Sequence, residues 1–66
     1  MKNTLKIQRA IKNYTQESLA NKIGVSRQTI NSIEKNRYVP STILALKISK
    51  VFAKSVNEIF ELEEED

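Results

Sequence analysis

Between Gly24 and Arg37 the chain reads GVSRQTINSIEKNR, with Ile30 and Ile33 three apart among side chains built to hydrogen-bond. On a helical wheel turning about 100° per residue, with the two isoleucines inward, Glu34 falls beside them. Gln28, Ser32 and Lys35 then fall opposite, and Asn31 near their edge. Arg27 lies in the first turn, from which a long side chain reaches past the helix end. The outward face thus offers an amide, a hydroxyl, an ammonium and a guanidinium. Such a set suits the base edges of the DNA major groove, which admits one helix: Arg pairs with guanine, Gln or Asn with adenine, Ser with either. A surface built for protein contact would carry aromatic or aliphatic anchors, and this face has none.

Other chemistries lack their reagents. The 66 residues contain no cysteine and no histidine, so there is no disulfide framework, no thiolate and no proton shuttle of ordinary kind. No nucleophile stands beside a base, and the carboxylates crowd one end of the chain instead of pairing in a cleft. Neither catalysis nor a metal or other cofactor is expected. The longest apolar-rich stretch, VPSTILALKI, is far too short to span a bilayer, and MKNTLKIQRA lacks the apolar run of a signal peptide. The expectation is a soluble, cytoplasmic protein without membrane contact, associated with the nucleoid if its partner is DNA.

Charge is divided along the chain. Residues 1–54 hold all eleven Lys and Arg but only Glu17 and Glu34, whereas residues 55–66 hold the six remaining acids and no base. A basic body points to a polyanionic partner. The acidic end is either a solubilising tail or a docking site for a protein partner.

The elements that must position the polar face follow from punctuation. A chain this short makes one domain near the lower size limit for folding alone. Residues 4–12 form a first helical segment, with Leu5 and Arg9 on one side and Ile7 and Ile11 on another. Thr15 reads as the N-cap of QESLANKI, whose Leu19, Ala20 and Ile23 make an apolar stripe. Gly24 ends that helix, and Ser26 caps RQTINSIEK, which must stop at Asn36. Pro40 and Ser41 open TILALKISKVF, the richest in Leu and Ile and the expected hydrophobic centre. Ser55 and Glu58 stand at capping-box spacing and open the short VNEIF. The tail ELEEED is either disordered or an edge strand anchored by Leu62.

From Gln16 to Ile33 the apolar or small positions are Leu19, Ala20, Ile23, Gly24, Val25, Ile30 and Ile33. Two short helices crossing steeply need close approach at Ala20 and a tight turn at Gly24, with aliphatics locking the corner. The stretch YTQESLANKIGVSRQTINSIEKNRYVPSTILALKISKVF, with VNEIF after it, resembles the helix-turn-helix family of Cro, the phage repressors and the xenobiotic-response-element (XRE) regulators. It is most similar to the compact single-domain bacterial and archaeal members. The resemblance implies an all-α, five-helix, lambda-repressor-like domain over residues 1–60, with the helix-turn-helix at 16–35 and an acidic tail at 61–66. It also implies a homodimer on near-palindromic operator DNA, with helix 27–35 in the major groove, and a role as a transcriptional regulator, in particular a repressor.

Residue by residue, the resemblance implies base contacts by Arg27, Gln28, Asn31 and Ser32. It implies phosphate contacts by Gln16, Lys35, Asn36, Arg37 and Tyr38, with Gln16 also bracing the start of the recognition helix. Arg9 and Glu34 match an internal ion pair of the family, and the inward place of Glu34 on the wheel agrees; the alternative for Arg9 is a phosphate contact. Val56, Ile59 and Leu62 are the expected dimer residues, although Ile59 and Phe60 could instead close the core. Glycine is usual in the family where this chain has Asn13, Asn36 and Ala53, and Ala53 would cost about 1 kcal/mol in a left-handed conformation. Gln8 departs from the small or apolar residue common at its position, and one of Ile7 and Ile11 is left to face solvent or a partner subunit. The competing function, from another class, is an antitoxin or co-regulator module in which protein contact is primary.

Overall fold

Four of the five helices begin at a hydroxyl that accepts a backbone N–H which no helical carbonyl can reach. Thr15 accepts from Ser18 at 2.9 Å, Ser26 from Thr29 at 3.2 Å and Ser41 from Leu44 at 3.2 Å. Ser55 accepts from Glu58 at 3.3 Å, and the Glu58 carboxylate accepts from the Ser55 N–H at 2.8 Å, which completes a capping box. The computed structural model describes the whole chain, Met1–Asp66. Its elements are β1 (Lys2–Asn3), α1 (Leu5–Lys12), α2 (Gln16–Ile23), α3 (Arg27–Glu34), α4 (Thr42–Phe52), α5 (Val56–Ile59) and β2 (Phe60–Glu61).

Helix ends use the left-handed region four times, at Asn13, Gly24, Asn36 and Ala53. At Gly24, φ is +76° and a Cβ would meet nothing within 4 Å. Glycine is needed there for its backbone freedom, not for close approach; the close approach falls to the buried Ala20. Ala53 takes φ 52° and ψ 40°, a conformation that crowds its Cβ against the next carbonyl.

Eleven apolar residues are buried, and no polar or charged residue is. The expectation that α4 is the centre needs correction. Leu5, Leu19, Ile30, Ile33, Ile48 and Ile59 are the largest fully buried side chains, so each of the five helices contributes. Helix α4 buries Leu44, Ile48 and Phe52 along one stripe and leaves Ile43 and Leu46 exposed. On α1 only Leu5 is buried; Ile7 and Ile11 both face solvent. Gln8 is half-buried, its amide donating to the Thr4 hydroxyl at 3.4 Å.

The terminal sheet holds a strand that the sequence pattern does not reveal. β1 pairs antiparallel with β2, Lys2 opposite Glu61 and Asn3 opposite Phe60. Buried Phe60 anchors β2, whereas Leu62 is 76% exposed and anchors nothing. Ile59 is 1% exposed and closes the core. Its side chain therefore has no surface to offer a second subunit, which corrects its expected place in a dimer contact. The Met1 ammonium reaches Glu63 and Asp66, each at 3.0 Å, so the acidic tail folds back over the first strand.

Candidate nucleic-acid interface

The corner between α2 and α3 is closed by Leu19, Ala20, Ile23, Ile30 and Ile33, all buried. With Ile30 and Ile33 inward and Glu34 beside them, Arg27, Gln28, Asn31 and Ser32 face away from the core. Arg27 and Gln28 are exposed, and Asn31 and Ser32 half-exposed. After α3 the chain folds back on itself. Asn36 donates its backbone N–H to Ile33 at 3.0 Å and Arg37 donates to Ser32 at 2.8 Å. Lys35, Asn36, Arg37 and Tyr38 are thereby held as an exposed loop beside the outward face. Gln28, Thr29, Ser32, Arg37 and Tyr38 line one shared concavity of about 230 Å³.

Of the eleven Lys and Arg, only Lys2 and Arg9 have a carboxylate within 4.0 Å. Arg27, Lys35 and Arg37 are therefore uncommitted cations around the outward face of α3, as contact with phosphate requires.

Behind that face lies a charged network. Arg9 donates through Nε to Glu34 Oε2 at 2.6 Å and through Nη2 to Oε1 at 3.1 Å, a bidentate pair that ties α1 to α3. A third donor, Nη1, reaches the Tyr14 carbonyl at 2.9 Å. The pair is largely shielded, with side-chain exposures of 15% and 6%. The bond to Glu34 holds the Arg9 pKa above its ordinary value. Arg9 is thus committed inside the fold and is no phosphate contact.

Gln16 joins the same network. Its amide nitrogen donates to Glu34 Oε1 at 3.2 Å and to Asn31 Oδ1 at 3.3 Å. Both amide hydrogens are consumed, so its side chain has no donor left for phosphate. The bracing expected of Gln16 is corrected: it holds the middle and end of α3, at Asn31 and Glu34, instead of its first residues. Its backbone N–H lies at the start of α2, where an anion is favoured.

Two contributors are absent from the sequence reading. Thr29 lines the concavity with Gln28 and Ser32; the i, i+3 spacing of Thr29 and Ser32 could have suggested it. Asn3 donates its amide to the Ile33 carbonyl at 2.9 Å and to Asn36 Oδ1 at 3.0 Å. Its Oδ1 accepts from the Leu5 N–H at 3.1 Å. One side chain thus finishes α3 and starts α1, and no local pattern signals it.

A helix set across its predecessor at a glycine corner, with a hydrogen-bonding face outward and free cations beside it, defines a helix-turn-helix DNA-binding domain. A helix-turn-helix family model matches residues 5–59. The chain is 54% identical to an HTH-type transcriptional regulator of Methanocaldococcus jannaschii over 66 residues, the full length of both. It is 52% identical to the HTH-type regulator YgzD of Bacillus subtilis, again over the full length of both. An HTH-type regulator of Archaeoglobus fulgidus is 46% identical across all of this chain and 93% of its own. The protein belongs to the XRE-type helix-turn-helix family and is a DNA-binding transcriptional regulator. No helix is long and apolar enough to cross a membrane.

Proposed function

We propose that the protein is a homodimeric repressor that occupies a near-palindromic operator, with α3 of each subunit in the major groove. The observation that carries this reading is the outward face of α3, where Arg27, Gln28, Asn31 and Ser32 stand beside the uncommitted cations of the 35–38 loop. In this reading the first four contact bases, while Lys35, Asn36, Arg37 and Tyr38 hold the backbone and set register. Repression then needs no cofactor: an occupied operator excludes polymerase.

A dimer is supported by an apolar surface that the monomer leaves open. Val39, Ile43 and Leu46 are exposed, and a concavity of about 210 Å³ beside them is lined by Val56, Pro40 and Phe60. This surface begins one residue after the loop assigned to the backbone, so pairing through it keeps two copies together on the DNA. The molecule measures 32 × 22 × 21 Å, a size at which two copies abreast suit recognition helices about 34 Å apart. Val56 and the exposed Leu62 belong to the proposed interface; Ile59 does not.

The test is selection of bound sequences from random duplex DNA at two salt concentrations, with the wild type and Gln28→Ala. A two-fold symmetric consensus that loosens at one position per half-site in the variant supports the reading, at about 1–3 kcal/mol per base read. Binding that yields no consensus and fades with salt would leave only a non-specific electrostatic surface.

A further inference from the structure

We propose that Asn3 is a positioning residue for DNA binding. It fixes the turn at Asn36 from outside α3, and so sets how firmly residues 35–38 hold the DNA backbone without changing which bases are read. The inference rests on the backbone-holding role proposed for that loop.

The loop is held almost wholly by the helix it leaves. The backbone N–H groups of Lys35, Asn36 and Arg37 donate to Asn31, Ile33 and Ser32, all within α3. The bonds from Asn36 and Arg37 close a common helix-ending turn, with Asn36 left-handed at φ 59°. Bonds to its own last turn leave such a loop to fray with that turn. The one hydrogen bond from the loop to another element runs from Asn3 Nδ2 to Asn36 Oδ1, at 3.0 Å. The same nitrogen donates at 2.9 Å to the Ile33 carbonyl, which also accepts the Asn36 N–H. Asn3 thus grips the turn both at its side chain and at its closing carbonyl.

Asn3 is the fixed member of this contact. In the strand pair it lies opposite buried Phe60, and the next residue, Thr4, donates to the carbonyl of buried Ile59 at 2.8 Å. Its amide has one allowed sense. The Leu5 N–H can only donate, so Oδ1 lies there; the Ile33 carbonyl can only accept, so Nδ2 lies there. The Asn36 atom beside Nδ2 is then its oxygen. Phosphate only accepts, so the Asn36 atom taken up by Asn3 is the one that phosphate cannot use. Glycine is the residue least strained in a left-handed turn, but it would offer Asn3 no side chain to hold.

The test measures binding over a range of salt for the wild type, Asn3→Ser, Asn36→Gly, the double variant and Arg37→Ala. The probe is the duplex that the wild type selects, or random duplex if it selects none. Serine at position 3 keeps an acceptor for the Leu5 N–H, is too short to reach α3 and adds no charge. Asn3→Ser is expected to weaken binding about tenfold, the scale of one hydrogen bond to a charged group. Its salt slope should be shallower by about 0.9 per bound chain, the size of one phosphate contact. Its selected consensus should match that of the wild type. In the Asn36→Gly background the same substitution is expected to cost less than about threefold, because its main partner is already gone.

Unchanged affinity and salt slope in Asn3→Ser, even with lower stability to urea, would make Asn3 a purely structural residue and overturn the inference. So would a shifted consensus, or the full tenfold cost in the Asn36→Gly background. Arg37→Ala separates the inference from its premise. If it alone flattens the salt slope, the loop holds the backbone and only the inference fails; if neither variant does, the loop's role falls too. Asn3→Thr, with the same hydroxyl on a better strand former, replaces Asn3→Ser if the latter does not fold.

Discussion

Arg9 and Glu34 tie α1 to α3 through a single carboxylate. The carboxylate accepts three donated bonds, two from Arg9 and one from Gln16, while almost shielded from water. A shielded pair contributes little net stability because both charges are desolvated, yet losing one partner strands the other. Arg9→Ala is therefore expected to lower the unfolding free energy by about 3 kcal/mol, the lower end for a buried pair because Arg9 keeps some exposure. Urea denaturation checks this; a loss below about 1 kcal/mol would mean that the pair behaves as a surface bridge.

At the scale of elements, short helices depend on their ends, and all five are short, eight residues in α1 to α3 and eleven and four in α4 and α5. The left-handed caps at Gly24 and Ala53 make opposite predictions from one conformation. Ala53→Gly is expected to raise stability by about 1 kcal/mol by relieving the Cβ contact with the next carbonyl. Gly24→Ala should lower stability by about the same amount, since open space around Gly24 leaves only the backbone cost. Thermal unfolding of the two variants tests the pair, and equal signs would show that some factor other than the cap governs them. The start of α1 differs from the other four. The Thr4 side chain caps nothing there; Thr4 N–H donates to the Ile59 carbonyl at 2.8 Å, and Asn3 supplies the missing acceptor. Helix α3 is thereby tied at its end to the chain's first strand, and that strand to its last.

For the whole molecule, the distribution of exposed apolar residues matters most. A core of eleven residues uses material from every helix, so little remains to explain Val39, Ile43 and Leu46 at the surface. On the proposed pairing, Leu46→Glu is expected to leave the helical circular-dichroism spectrum intact and to shift sedimentation from dimer to monomer. Operator affinity should fall at the same time, at least about tenfold, because two half-sites would no longer be linked. A variant that still sediments as the wild type would exclude this face as the subunit contact. Terminal charge is the other feature at this scale. Asp66 accepts from the Glu63 N–H and the Met1 ammonium, which together hold its carboxyl below the usual range. The Met1 amine is raised in turn by Asp66 and then Glu63. Charges that are well separated along the chain thus come together at the terminal sheet.

Whatever depends on a few neighbouring residues was legible in the sequence. The hydroxyl caps at Thr15, Ser26, Ser41 and Ser55, the stop at Gly24 and the inward pair Ile30 and Ile33 are local, and they suffice to build α2, α3 and the corner between them. The polar outward face follows from that pair by periodicity alone. Tertiary structure was needed wherever the partner lies far along the chain. A two-residue strand has no period to detect, so β1 and the bonds of Asn3 to Ile33 and Asn36 emerge only when the two ends of the chain meet. Ile59 and Ile43 are alike in type, and only the packing of neighbouring helices sends the first into the core and the second to the surface. Gln16 is the clearest case. Its place at a helix start suggests an anion, but a carboxylate eighteen residues away takes one of its hydrogens, and hydrogen bonds are satisfied by whatever the fold brings within reach.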